Sequence, residues 1–284
     1  MVRFFLCFAT VISFLHAERH PFTDPLAMSN EIARQSTDRD DFVVFENPLF
    51  GRILSRNGKI EITEADEAIY HEMMVHVPLL SHKNPTSILI LGGGSGGLLR
   101  ETLKHPTVQH VVLVESDQAL IDIAKAHLPK LSNGSFSDHR VNAVVGNKFE
   151  FIKQCTETFD VILSEKIAEN SDFYAHVKKR LKKGGIFVHQ NSLPFLEKNG
   201  IAKTFEQQKS HFKHIRFYTI PTPSSIGGPL AIGFASNRRY TPSIKNLKNR
   251  LLSLNTPLFY YTPAIHKAAF ALPLFISAQL ETKF

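Results

Sequence analysis

The chain predicts an α/β fold, a parallel sheet with helices on both faces, preceded by a small antiparallel β-domain. Three observations carry this. Ile88-Leu89-Ile90-Leu91 is an apolar run suited to a strand buried on both faces, and it meets the glycine cluster Gly92-Gly93-Gly94-Ser95-Gly96-Gly97. After that cluster, strand-like and helix-like stretches alternate at α/β spacing. Before it, Phe42–Glu46, Arg52–Leu54 and Lys59–Ile62 are short strand-like runs joined by turn residues, including the hairpin signal Asn57-Gly58. The expected division is a β-domain over 18–65 and an α/β domain over 66–284.

Composition narrows the class. The chain has 284 residues with 43% apolar content, enough for one sizeable core and a smaller appendage. The formal net charge is +7, but the basic residues are dispersed and no nucleic-acid motif is present, so no nucleic-acid partner is expected. Cys7 and Cys155 are the only cysteines, which excludes a disulfide framework and zinc-type spacing. At the N-terminus Arg3, the apolar stretch Phe4–Leu15 and Ala17 look like a secretory signal over residues 1–17, too short for an ordinary membrane span. Residues 21–41 are polar and read as loop or a ragged strand.

In chain order, Thr63-Glu64-Ala65-Asp66 opens a helix in capping-box style, with Ile69, Met73, Val77 and Leu80 along one face. His71 lies on that helix, where a lone histidine more often packs than reacts. Next come strand 87–91, helix 97–105, strand 110–115, helix 117–128, strand 141–146, helix 148–155 and strand 159–163. A helix over 173–182 follows, with Lys178-Lys179-Arg180 and Lys182-Lys183 as its solvated basic end and Gly184-Gly185 as its C-cap. Strand 186–190, helix 197–213, strands 215–220 and 230–234, and an apolar docking tail complete the chain. His266 in that tail is expected to pack.

Ligands of such sheets bind beyond the carboxyl ends of the strands. That rule gathers Gly92 to Gly97, Glu115, Gly146-Asn147-Lys148, Ser164-Glu165 and Gln190. Glycines let a ligand approach the backbone closely, and an acid ending the second strand, about 20 residues on, suits ribose hydroxyls. The spacing Gly92-x-Gly94-x-Gly96 also fits enzymes that bind an S-adenosyl group.

From Phe42 to Pro273 the chain resembles the spermidine synthases, the polyamine aminopropyltransferases. Phe45-Glu46, Phe50-Gly51-Arg52, Thr63 to Glu67, Tyr70-His71-Glu72-Met73, Gly92 to Glu101, Val114-Glu115, Phe159 to Ile162, Tyr260-Tyr261 and His266 to Pro273 carry the likeness in the family's order. The resemblance implies a Rossmann-like, class I methyltransferase-type domain behind an N-terminal β-domain, in a homodimer or homotetramer. It implies transfer of the aminopropyl group of decarboxylated S-adenosylmethionine, a co-substrate, to putrescine. Spermidine and methylthioadenosine would be the products, with no metal or further cofactor and in the cytoplasm, whereas the signal-like start leaves secretion open.

Residue by residue, the resemblance makes Glu165 the proton acceptor. It puts Asp40, Glu61, Gly92, Gly94, Ser95, Gly96, Glu115, Asn147 and Lys148 around the donor, and Tyr70, His71 and Gln190 around the amine. Several positions depart from the family's pattern. Ser95 stands for an Asp of the glycine loop, and Asn147-Lys148 for Asp-Gly. Glu165 stands for the Asp base, and Lys166-Ile167-Ala168 for part of the motif after it. Asp40 and Glu61 stand where Gln is usual, Pro223 where Tyr is usual. Asn147 retains a carbonyl oxygen able to accept from an adenine amino group. The covering loop is shorter by roughly ten residues, which bears on water exclusion. A homologue that binds a nucleoside or polyamine without transfer is the alternative.

Overall fold

The computed structural model describes residues 26–165, 171–254 and 256–281; the signal-like stretch and Lys166-Ile167-Ala168 lie outside them. The first strands are β1 (Asn30–Ser36), β2 (Asp41–Asn47), β3 (Gly51–Arg56) and β4 (Lys59–Thr63), one antiparallel sheet in chain order. Asn57 and Gly58 both take positive φ, 54° and 72°, which gives the tight hairpin their dipeptide announced. β1 falls in the stretch read as loop or ragged strand. Its polar residues carry no clear alternation, and pairing with the apolar β2 supplies the order.

Helix α1 (Glu67–Ser81) leads into β5 (Ser87–Leu91), α2 (Gly97–Leu103), β6 (His110–Glu115), α3 (Gln118–His127) and the short α4 (Pro129–Ser132). Then come β7 (Val141–Val145), α5 (Lys148–Gln154), β8 (Phe159–Ser164), α6 (Ser171–Arg180), β9 (Leu181–Gln190), α7 (Gly200–Gln208), β10 (His214–Ile220) and β11 (Leu230–Ser236). Helices α8 (Ile244–Leu251), α9 (Pro263–Ala269) and α10 (Leu274–Glu281) follow. The seven-stranded sheet has the order β10-β11-β9-β8-β5-β6-β7.

Five strands of this sheet are parallel, whereas β10 and β11 pair antiparallel with each other, and β11 antiparallel with β9. The sheet is therefore mixed at one edge. The 221–229 loop is too short for a crossover helix, so the two strands it joins must run antiparallel. Strand residues alternate between two cores. Ile88 and Ile90 face α1 and α2, while Leu89 and Leu91 face Ile152 of α5 and Phe173, Tyr174 and Val177 of α6. Phe42, Val44 and Leu54 of the small sheet pack on Ala119, Leu120 and Ile123 of α3.

Two expectations are corrected. Gly184-Gly185 is no helix C-cap, because α6 ends at Arg180 and β9 begins at once. Leu181 pairs with Phe159 and Ile186 with Val161, so the intervening residues bulge from the ladder, with Gly184 at φ 80°. Lys182 is thereby drawn from a solvated helix end to Asp160, 3.0 Å away, whose carboxylate also accepts from the N–H groups of Thr86 and Ser87. The capping box is corrected in part: the Asp66 N–H does donate to the Thr63 hydroxyl oxygen at 3.3 Å, but α1 starts only at Glu67, and Asp66 makes no side-chain cap.

Helix α1 is buried on nearly every side from Ile69 to Ser81, more than an amphipathic stripe requires. The tail explains this. The Glu72 carboxylate accepts from the N–H groups of Phe259, Tyr260 and Tyr261 at 2.6, 2.9 and 2.7 Å. Arg250 donates to the carbonyls of Leu80, Ser81 and His82 at the helix end. His266 is buried, with Nδ1 2.8 Å from the Tyr261 hydroxyl, so it packs as expected.

Glu72→Gln places an amide against three backbone donors and should destabilise the chain by about 2 kcal/mol in urea unfolding. Acid should weaken the fold as well. Burial lowers the pKa of His266 to about 3, helped by Lys267 and Arg216, and that of buried His189 to about 4. Both stay neutral in the fold while the unfolded chain takes up protons below about pH 6.5. Stability is then fully present above that pH. It should fall toward pH 4 by as much as about 1.4 kcal/mol per unit for each histidine. Equal unfolding free energies at pH 7 and pH 5 would contradict this.

Candidate active site

The site forms where the sheet order reverses. From β5 the chain crosses to β6 on one side, while β8 lies on the other, so the connections diverge and leave room beyond the strand ends. The Glu165 N–H donates to the Leu91 carbonyl at 3.0 Å, extending the ladder one residue past β8. Gly92 turns the chain there at φ 92°, and a Cβ on it would stand 3.1 Å from the Glu165 Cβ. Only glycine suits both demands. The Gly94 N–H donates to Glu115 Oε2 at 3.0 Å. Glu115 Oε1 accepts from the Ser116 N–H at 2.7 Å, its hydroxyl at 3.1 Å and the Asp117 N–H at 3.2 Å. Gly96 precedes α2 in the left-handed region and its carbonyl accepts from the Arg100 N–H.

Helix α1 supplies the facing wall. The Tyr70 hydroxyl donates to Gln190 Oε1 at 3.2 Å. Burial, then the charges of Glu165 and Glu61, push the Tyr70 phenol well above its ordinary pKa, so it is a neutral donor. His71 Nδ1 lies 2.5 Å from Glu67 Oε2, one turn earlier. Its ring rests on Gly97, where a Cβ would lie 2.2 Å from it. Arg100 of α2 grips Glu67 with two parallel bonds of 3.0 and 2.9 Å. Burial alone would raise the Glu67 carboxyl; His71 and Arg100 outweigh it and hold it below the usual range. From Arg100 the network runs inward through Glu101 to His76 and His105, at 2.8, 3.0 and 2.9 Å.

Between these walls lies a cavity of about 550 Å³. Glu61, Tyr70, His71, Ser95, Glu165 and Gln190, scattered in sequence, all line it. So do Asp66, Glu67 and Glu197, which sequence reasoning missed, and among the described residues the charged lining otherwise holds only Lys59. Asp66 had a signal, misread as a helix cap. Its carboxylate accepts from the Thr63 hydroxyl at 2.6 Å and from the Ser224 N–H at 2.8 Å, tying the 221–229 loop to the small sheet. Glu197 sits in an irregular loop, where no periodicity marks it.

Seven expected site residues are not part of this lining: Gly92, Gly94, Gly96 and Glu115, and three more that are engaged elsewhere or stand apart. Asp40 is outside the cavity wall; its carboxylate pairs with Arg56 and accepts from Asn57 Nδ2 at 2.7 Å. It therefore adds no charge to the wall. Asn147 Oδ1 caps α5, accepting from the N–H groups of Phe149 and Glu150 at 2.8 and 3.2 Å. The oxygen expected to meet an adenine amino group holds a helix instead. Lys148 opens α5 and is also outside the wall. Among the described residues no group of three or more His, Cys, Asp or Glu is placed to hold a metal ion, and no helix is long and apolar enough to cross a membrane.

The fold and the sequence have relatives among known proteins. A family model for the spermine/spermidine synthase domain matches residues 67–246. A polyamine aminopropyltransferase of Pectobacterium carotovorum is 36% identical over 277 residues, 94% of this chain and 96% of that one. One of a Ruegeria species is 36% identical over 265 residues, 90% and 93%. The crystal structure of spermidine synthase from Thermotoga maritima superposes with a TM-score of 0.84 at 33% identity, over 89% of this chain and 88% of that one. A spermidine synthase crystallised with the transition-state analogue AdoDATO gives the same values. By sequence kinship and fold, the chain belongs to the spermine/spermidine synthase family of transferases.

Proposed function

We propose that the protein moves the aminopropyl group of decarboxylated S-adenosylmethionine to putrescine, forming spermidine and methylthioadenosine. The acidic cavity at the sheet reversal carries this reading. Carboxylates of Glu61, Asp66, Glu165 and Glu197, with Glu67 already held by Arg100, against Lys59 as the one lysine among the described lining residues, suit cationic amines. They also favour a sulfonium.

The chemistry is a displacement. The amine nitrogen attacks the propyl carbon bonded to sulfur; the new C–N bond forms as the C–S bond breaks, and its electron pair stays on sulfur. A neutral thioether leaves and needs no acid. The amine must give up a proton, and the Glu165 carboxylate is the acceptor, set at the strand end by its own N–H to Leu91. Tyr70 and Gln190, already bonded to each other, orient the amine from the facing wall. Glu115, beside the glycine loop, is the group for the ribose hydroxyls, and Ser95 offers the donor's ammonium a hydroxyl in place of a charge.

Mass spectrometry of purified protein with decarboxylated S-adenosylmethionine and a panel of amines tests the reading. Spermidine and methylthioadenosine should appear in equal amounts. Donor bound without product would assign the chain a binding role. Glu165→Gln should lower turnover by about 10²- to 10⁴-fold and leave donor binding by calorimetry nearly intact. Unchanged turnover would remove Glu165 as the base. Glu115→Ala should weaken donor binding by about tenfold or more, the loss expected for a charge-assisted hydrogen bond.

A further inference from the structure

The acidic cavity has a basic counterpart at the other end of the sheet. Strands β10 and β11 run from the cavity side, where Ile220 pairs with Leu230, to the far end, where His214 pairs with Ser236. That is about 20 Å of ladder. There a second cavity, of about 500 Å³, opens where the segment after α7 meets the two strands. Its charged and titratable lining consists of Lys209, Lys213, His214, Arg216 and Arg239, with no carboxylate. Phe234 and Tyr240 form part of its wall.

Internal pairing neutralises little of this charge. Lys209 meets Glu206 at 2.6 Å. Among the described residues, no ion pair joins Lys213, Arg216 or Arg239 to a carboxylate. The Arg216 guanidinium is held in place by the Phe270 ring, 3.9 Å from its centroid. Its hydrogen bond to the protein is a long one, from Nη1 to the Tyr240 carbonyl at 3.5 Å. A guanidinium has five N–H donors, so most of those on Arg216 have no protein acceptor among the described residues. The surrounding protein, and then the like charge of Arg239, hold Arg216 below its ordinary pKa. Two arginines kept together without a counterion repel each other, and a bound anion would relieve that repulsion.

We propose that this cavity is a second ligand site, which takes a small phosphate-bearing anion on Arg216, Arg239 and Lys213. A guanidinium fork matches two phosphate oxygens at once, and a lysine ammonium adds a point charge. The volume suits a small molecule. The cations converge on one concavity and do not form the extended stripe that tracks a nucleic-acid backbone. The site would sit about 20 Å from the transferase cavity, at the far end of the same two strands.

Calorimetric titration of the full chain with inorganic pyrophosphate, at ionic strength held constant with potassium chloride, tests this. One saturable site is expected. Arg216→Gln and Arg239→Gln should each weaken it by about tenfold, as for loss of a charge-assisted bond, while turnover without pyrophosphate stays unchanged. Arg239 is exposed and carries no ring contact of the Arg216 kind, so its variant keeps the test sharp should Arg216→Gln fail to fold. Absence of saturable binding, or binding by both variants as tight as that of the unsubstituted chain, would overturn the proposal. So would a single-stranded RNA oligonucleotide that binds more tightly than pyrophosphate through the same arginines; that result would reassign the surface to nucleic acid.

Discussion

The pairing of β5 with β8 is the constraint on which the rest of the site depends. These two strands lie at the centre of the sheet, and their chains leave in opposite directions. Beyond Leu91 the backbone must turn at once, and beyond Ser164 it must stop short of that turn. Gly92 and Glu165 meet there because one has no side chain and the other's N–H still reaches the Leu91 carbonyl. The carboxylate proposed as the proton acceptor is thus placed by a ladder hydrogen bond and by the space left at a glycine. Both are rigid features of the backbone, and rigidity is what a proton acceptor needs when a displacement of about 1 Å can cost on the order of a hundredfold in rate.

Helix α1 completes the site from the other side, and three consecutive residues divide the work. Tyr70 reaches Gln190 at the end of β9, His71 turns to Glu67 and Gly97, and Glu72 fastens the tail. Successive residues on a helix point about 100° apart, so one short motif reaches cavity, neighbouring helix and tail at once. The bidentate hold of Arg100 on Glu67 then fixes α1 against α2. Buried carboxylates are costly unless paired, and here each has found charged or backbone donors.

Charge is sorted between the two ends of the sheet. Acidic groups collect at the carboxyl ends of the parallel strands, and unpaired basic groups at the far end of β10 and β11. A net charge of +7 summed over the chain hides this separation. Composition reports the total, whereas ligands respond to the local field.

Much of the fold was legible in the residues themselves. The apolar run 88–91 and the glycines after it declare a buried strand and a tight turn, because each reflects local backbone sterics and period. Asn57-Gly58 declared its hairpin for the same reason. The sequence by itself therefore determined the α/β class, the order of most elements, and the gathering of Ser95, Glu165 and Gln190 at one edge. Only the tertiary structure decided which polar groups remain available there. Asp40 is taken by Arg56 and Asn147 by the N-terminus of α5, whereas Asp66, tied to the loop at Ser224, still lines the cavity. The antiparallel edge, the bulge at Gly184 and the basic cavity likewise depend on contacts between distant segments. A side chain's identity states what it can bond; which partner it meets is settled by packing of residues far away in the chain.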